Sequence, residues 1–422
     1  MNRNQKAILV ASLLSLSMAM SACGGGQSTQ PAKASTSAVE ETAKETESSA
    51  AASTANSKET ESTGNESTTE NKESESTGTE STATESSEQA AGTVVDENSE
   101  DYVIELDPQY NVPTEELLKK FPIKHQTPAA TDLSKKIQNR MLNGFNRWNM
   151  GYDAWEHWGE VLYHDDSIYN VNGVRLTLKE YQQAMDVSLK KLDIRMGDFK
   201  NMVLVDDWMA IQYETVNIDR ETGAEKPGTT MEFAKFGDYD ELGAKVDEGW
   251  GGVKNDTYSG TMHFQTEEEQ KAQQEFMDEL IATELKDTDN LEDKYPIVYP
   301  TTIDTELGEK MKAAILEDFD KFNQGYGAWD TWTKDFYTDD VAMNYLGEDI
   351  SLDDYKAEMK KQIGNTQKVR INNILVSEDW AAIHYWTVTE KEDGTKDADN
   401  HMQFLHFVEN GDGIQVDICY AK

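Results

Sequence analysis

Three side chains in the C-terminal part of this 422-residue sequence could move a proton: His384, His406 and Asp417. The two histidines fall on neighbouring strand-like runs, and Asp417 follows a valine on a third. Such a histidine pair is a base or half a metal site, and a carboxylate within reach would complete an acid–base pair. Two ligands without a third hold a metal weakly, and His401 falls on the opposite strand face from His406. No phosphate loop, zinc-protease helix, nucleophile elbow or EF-hand loop is present, so neither a metal nor a cofactor is implied. Aromatic residues form the second set: Tyr152, Trp155 and Trp158, Tyr326, Trp329 and Trp332, and Tyr213, Trp250, Tyr385 and Tyr420 on strand-like runs. Rings in such numbers wall a pocket for a flat or apolar molecule or a sugar, and they equally fill a core.

The elements that position these groups occur twice. Phe121-Pro122-Ile123 returns as Tyr295-Pro296-Ile297, Gly151-Tyr152 with Ala154-Trp155 as Gly325-Tyr326 with Ala328-Trp329, and Asp165-Asp166 as Asp339-Asp340, each 174 residues on. The offset then drifts to 172 at Asp207-Trp208 and Asp379-Trp380, 171 at Met231 and Met402, and 170 at Val246-Asp247 and Val416-Asp417. Small deletions in hairpin loops account for the drift. In this register Gln212 and Lys235 stand where the second copy has His384 and His406.

Each copy opens with a helical stripe, at Leu133, Ile137, Met141, Phe145 and Trp148 and at Leu307, Met311, Ile315, Phe319 and Phe322. A short aromatic helix follows (152–158; 326–332), then a strand after the double Asp (168–171; 342–345) and a helix opening at a Thr or Ser cap (177–189; 351–363). Four strands complete each copy, near 198–205, 208–218, 229–237 and 244–250, and near 368–376, 379–390, 399–408 and 414–420. Helices followed by strands predict an α+β fold with antiparallel sheets. The expected domains span 110–260 and 291–422, joined over 266–290 by a connector helix with the stripe Ala272, Phe276, Leu280. That helix packs between the domains or lines the first domain's cavity.

The N-terminus reads as an address. Arg3 and Lys6 precede an apolar stretch, 7–20, too short to span a bilayer. The run Met20-Ser21-Ala22-Cys23-Gly24 then resembles the bacterial lipobox, which implies cleavage after residue 22 and acylation of Cys23. Residues 24–100 are Ser, Thr, Glu, Ala and Gly with no aromatic, a composition expected to stay disordered as a tether of roughly 50 Å typical span. The expected location is extracytoplasmic, lipid-anchored to a bacterial membrane. Acylation consumes Cys23, and Cys419 alone makes neither a disulfide framework nor a cysteine-held metal cluster. With 80 acidic against 39 basic residues and a net charge of −41, nucleic acid is excluded as a partner.

Three helices, a strand after a double Asp and a meander closed by an aromatic-bearing strand resemble the nuclear-transport-factor-2-like superfamily, specifically its SnoaL-like polyketide-cyclase branch. Gly-Tyr-x-Ala-Trp ahead of Asp-Asp and the run Val246-Asp247-Glu248-Gly249-Trp250-Gly251-Gly252 carry that resemblance, which covers most of both copies. It implies two tandem cones, each a curved sheet wrapped around a long helix, with Tyr152, Trp155 and Trp158 and their counterparts at the mouth. Members of the family include cyclases, isomerases, dehydratases, epoxide hydrolases and non-catalytic binding or association domains, so the fold alone does not supply an activity. The ketosteroid-isomerase type places an Asp base at the end of the first strand, where this sequence has Asn170 and Asn344–Tyr345. Those amides either bond a ligand or sit satisfied at a strand edge. Alternation sets Asp247 and Asp417 opposite Val246 and Trp250, and opposite Val416, Ile418 and Tyr420, pointing outward if the apolar face lines the cone.

Three functional expectations result. The first is a surface lipoprotein whose two domains bind a small apolar or aromatic ligand, or a partner, without catalysis. The second is a lyase or isomerase acting in one cone through Asp417 with His384 or His406. The third is an association module in which the first copy pairs with the second inside the chain, as the family's dimerisation through its sheet implies.

Overall fold

In the computed structural model the described residues are 99–100, 102–148, 151–171, 174–251, 267–363, 366–390, 394–411 and 413–422. The expected export signal, Cys23 and the segment 24–98 lie outside them.

The protein is α+β, with two sheets. The first domain runs α1 (Thr114–Lys120), β1 (Ile123–Gln126), α2 (Asp132–Trp148), α3 (Tyr152–Leu162), β2 (Tyr163–Val171), β3 (Val174–Thr177), α4 (Leu178–Lys191), β4 (Leu192–Val205), β5 (Trp208–Asp219), β6 (Glu225–Asp238) and β7 (Ala244–Gly251). A connector, α5 (Glu267–Ala282) and the one-turn α6 (Leu291–Lys294), leads to the second domain. This comprises α7 (Glu306–Asn323), α8 (Tyr326–Phe336), β8 (Tyr337–Tyr345), β9 (Glu348–Ile350), α9 (Leu352–Ile363), β10 (Thr366–Ser377), β11 (Trp380–Glu390), β12 (Lys396–Asn410) and β13 (Gly413–Ala421).

Strand order is β1-β4-β5-β6-β7-β2-β3 in one sheet and β10-β11-β12-β13-β8-β9 in the other, so the second repeats the first without its edge strand. The sheets are mixed rather than purely antiparallel as the sequence suggested: β2 runs parallel to β7 and β8 to β13. Helix α4 carries the chain back across the sheet, and the reversals through β4, β5, β6 and β7 then bring β7 alongside β2 in the same sense. Strand β1, which sequence patterning did not predict, adds in parallel to β4. In the second domain the matching backbone makes only two such bonds, Val298 N–H to Ile371 O and Tyr299 N–H to Asn372 O.

Local chemistry explains the element boundaries. Thr177 caps α4 in a full capping box with Glu180, and Thr305 caps α7 through the Gly308 N–H. Asp206 and Glu378 take positive φ in the matching turns between the first two meander strands, β4–β5 and β10–β11. Ile137, Met141 and Phe145 of α2 pack on Met202, Leu204, Met209 and Ile211 of the sheet, and Met311, Ile315 and Phe319 of α7 pack on their own sheet likewise. Burying a side chain of this size contributes about 1.5–3 kcal/mol.

The other face of each sheet is also apolar. Val203, Trp208, Ala210, Met231, Phe233 and Trp250 share one buried cluster with Leu375, Trp380, Ala382, Met402, Phe404 and Tyr420. Under the sequence offsets these are the same six positions in each copy, so the contact is isologous. Tyr299 joins it, its ring 5.5 Å from Trp208 and 5.3 Å from Trp250. The connector α5 continues the buried surface over the second domain's outer face, with Leu280 and Phe276 against Trp386 and Val388, and it also approaches β3 of the first domain.

Candidate functional site

Along the sheet-facing side of α7, Met311, Ile315, Asp318 and Phe322 follow one another at helical spacing. Asp318 therefore interrupts an apolar stripe. Trp329 of α8 donates its indole N–H to Asp318 Oδ1 at 3.1 Å, and the Trp332 indole lies beside the same carboxyl. Tyr337 of β8, Tyr355 of α9, Tyr385 of β11 and Cys419 of β13 also face it. Rings pack around the carboxyl, with Phe319 tilted at 4.8 Å from Tyr385 and Trp329 edge-on at 6.0 Å from Tyr355. Burial outweighs the neighbouring indoles and pushes the Asp318 carboxyl up to about 7. Burial likewise drives the three phenols and the Cys419 thiol upward, so all four are neutral near pH 7. Protein atoms surround the carboxyl, although the residue as a whole is partly exposed.

The first domain differs at that point. Gly144 stands at the position of Asp318, and a Cβ there would lie 1.7 Å from the Trp158 indole, which occupies the space. Trp158 is 3% exposed, whereas its counterpart Trp332 is half-buried. This interior takes its carboxylate from β6 instead: buried Glu232 accepts the hydroxyls of Tyr169 at 2.7 Å and Tyr213 at 3.2 Å. Tyr169 stacks on Tyr181 at 4.4 Å, and a Cβ on Gly249 or Gly251 would come within 2.6 Å of it. In the second domain Met343 and Gln403 replace Tyr169 and Glu232, and the Gln403 amide donates to Tyr385 at 2.9 Å.

Of the residues the sequence singled out, Tyr152, Trp155, Trp158 and Tyr213 line or fill the first interior, and Tyr326, Trp329, Trp332 and Tyr385 the second. Asn170 and Asn344 point away from both. Asn170 donates to Gly249 O at 3.1 Å and Asn344 to Asp349 at 2.8 Å, as strand-edge amides do. Trp250 and Tyr420 lie in the cluster between the sheets, outside the interiors. The physical reason is a β-bulge: the register slips between Lys235 and Phe236 opposite β7 and between His406 and Phe407 opposite β13. Val246 and Val416 therefore face inward while Trp250, Ile418 and Tyr420 face out, which uninterrupted alternation misassigns.

The histidines are outside the interiors as well. His384 is fully buried between the sheets, its Nε2 2.7 Å from Asn400 Oδ1 and its Nδ1 3.3 Å from Asn372 Nδ2. Burial lowers its pKa to about 4. In the first domain Gln212 fills that role, its Oε1 accepting Asn201 Nδ2 at 2.5 Å. His406 and Asp417 do meet, Nδ1 to Oδ1 at 2.6 Å, with Asp379 3.1 Å from Nε2, on the outer face beside Trp380. Lys235 and Asp207 form the corresponding pair at 3.9 Å. Asp247 accepts the Tyr239 hydroxyl. Among the described residues no group of His, Cys, Asp and Glu is arranged to hold a metal ion, and no helix is long and apolar enough to cross a membrane. Two surface clefts, of about 480 Å³ beside Lys334, Asp340 and Glu409 and about 390 Å³ beside Glu105, Arg140 and Glu241, contain none of the singled-out residues.

Asp318 and Glu232 escaped sequence reasoning, though each left a signal. Asp318 sits at the 3.6-residue step between Ile315 and Phe322, and Glu232 is a lone acid flanked by Met231 and Phe233 in a strand.

No protein-family model matches the chain, and no curated protein does. Solved structures with a similar fold include a protein described as a SnoaL-like polyketide cyclase from a Jannaschia species. It is 10% identical with TM-score 0.25, over 29% of this chain and 90% of that one. An NTF2-like superfamily protein from Salmonella enterica is 10% identical with TM-score 0.23, over 29% and 95%. A de novo designed NTF2-fold protein is 14% identical with TM-score 0.22, over 27% and 83%. Values of this size carry no argument about activity.

Proposed function

We propose that this chain is a bacterial extracytoplasmic lipoprotein, acylated at Cys23 and held off the membrane by residues 24–100. In this reading the second domain (291–422) binds a small apolar or aromatic molecule without turning it over, and the first (110–260), joined through 266–290, is its paired support. The observation that supports the assignment is the inequality of the two interiors: Trp158 fills the space over Gly144, whereas the second domain sets a buried carboxyl, that of Asp318, among its rings at the same helix position. The isologous contact between the sheets supports pairing inside the chain. Native mass spectrometry of the full chain purified from its host tests the binding. An unmodified small molecule, released when Trp329 is replaced by Ala, is the expected result; a chain carrying no mass beyond its covalent lipid would overturn it. Labelling with a palmitate analogue, lost in Cys23→Ser, tests the anchor.

One observation favours a second reading, acid–base catalysis as a lyase or isomerase. A carboxyl raised to about 7 is poised to give and take a proton at neutral pH, and in that reading the acid–base group is Asp318 rather than Asp417, His384 or His406. Recovery of a mixture of two isomers, or of substrate and its dehydrated product, would favour it over binding.

A further inference from the structure

The sheets meet through matching residues, yet the two ends of that seam differ in chemistry. At one end His125 of β1, the edge strand of the first domain, lies on Trp380 of the second, ring centroids 4.7 Å apart, with Tyr420 at 6.1 Å. At the other end Tyr299, 174 residues on, lies on Trp208 and Trp250 of the first domain. Each domain thus lays its leading segment on the other's tryptophan. His406 also packs on Trp380, at 5.0 Å, so two imidazoles, one from each domain, share a single indole.

Their polar partners are unequal. His406 reaches Asp417 through Nδ1 at 2.6 Å and Asp379 through Nε2 at 3.1 Å. Carboxylates only accept, so both contacts are hydrogen bonds at once when the ring carries both protons. His125 Nε2, by contrast, is buried with no hydrogen-bond partner among the described residues. The charged groups around it are Lys124 of its own strand, His406 of β12 and Asp417 of β13, the last already engaged by His406. Lys124 donates to Tyr420, and Lys200 of neighbouring β4 is paired with Glu214 at 3.0 Å. Burial, Lys124 and His406 hold the His125 ring below the ordinary 6.5, with Asp417 opposing them. At the Tyr299 end Lys235 and Asp207 replace His406 and Asp379, and Tyr299 donates to Glu248 at 3.4 Å. Histidine is the residue type that ordinarily changes charge between pH 5 and 8, and the one near this end, His384, is lowered to about 4 by burial.

We infer that acid loosens the seam at one end only: a proton on His125 releases β1 from Trp380 and Tyr420, while Tyr299 keeps its hold on Trp208 and Trp250. The imidazolium carries hydrogen on both nitrogens, Nε2 has no acceptor, and the new charge falls beside Lys124 and the His406 ring. Both penalties disappear when the ring turns out to water. A ring held below 6.5 contributes stability above that pH and loses the contribution as pH falls through its folded value.

The test is hydrogen–deuterium exchange of the full chain at pH 7.5 and 5.5, corrected for the intrinsic pH dependence of exchange. Exchange of segment 123–127, where the Thr127 N–H bonds Met202 O at 3.0 Å, is expected to rise about threefold or more at pH 5.5. Segment 297–301 should stay unchanged. His125→Tyr, which installs the second domain's residue, should abolish the rise, and so should the smaller His125→Gln; circular dichroism checks both folds. His406→Gln should move the rise to higher pH, because one of the groups that hold His125 down is gone. Equal exchange at both pH values in the wild type would overturn the inference. So would a rise that survives in either His125 variant, or an equal rise at 297–301.

Discussion

The two domains share a fold, a strand order and an outer face, and they differ most where their interiors close. In the first, a glycine on the long helix admits an indole, and the buried Glu232 carboxylate is held by two phenols. In the second, an aspartate occupies that helix position, its carboxyl buried among aromatic rings. Surfaces that pair are constrained by each other, so both copies keep an apolar residue at the same six positions there, four of them identical. Interiors answer to no such partner, and the two could diverge.

The strongest way to break this comparison is to give the first domain the second's residue. Gly144→Asp places a charge and a Cβ 1.7 Å from the Trp158 ring, and should cost about 4 kcal/mol or more in urea unfolding. A loss below about 1 kcal/mol would mean that the indole has room to leave, and that the first interior is not closed by it. Next come the paired faces. Phe233→Ala and Phe404→Ala each remove a fully buried ring from the same contact and should each cost about 3–4 kcal/mol. Clearly unequal losses would contradict an isologous seam.

Titration sharpens the comparison further. The Asp318 carboxyl has a folded pKa of about 7, above its ordinary 3.8, so its contribution is present at low pH and is lost as pH rises toward and through 7. That loss is at most about 4 kcal/mol, and less because solvent reaches the residue. His384 has the opposite sign: its folded pKa of about 4 lies below the ordinary 6.5, so its contribution is present above 6.5 and is lost as pH falls toward 4. Between pH 4 and 6.5 the two slopes oppose. Asp318→Asn should therefore leave stability rising with pH across that window, and His384→Gln, which installs the first domain's residue, should leave it falling. Profiles parallel to wild type in both variants would refute the assignment. The smallest effect is expected for Tyr169→Phe, which removes one of the two phenol donors to Glu232 and should cost about 1–2 kcal/mol, read from the shift in urea midpoint.

Much of this architecture was legible in the sequence because it obeys one period at a time. The stripes Ile137-Met141-Phe145 and Met311-Ile315-Phe319 and the cap at Thr177 needed only the helix period and a hydroxyl at the right place. What was misread depends on a change of period or a difference between copies. Trp250 and Tyr420 were assigned to the interiors because a bulge reverses which face each occupies, and a bulge leaves no composition behind it. Asp318 was passed over because the repeat was found by matching shared residues, and its counterpart is a glycine. His406 and Asp417 do touch, as their strands allowed, but outside the interior and against Asp379.

The shared six-residue face has one more consequence. Two separate polypeptides meeting through such a surface come apart on dilution, and their folded fraction depends on how many copies are near. Here both halves travel on one chain, so the local supply of partner is fixed by the connector rather than by abundance. A protein built this way keeps its architecture even when a cell displays only a handful of molecules.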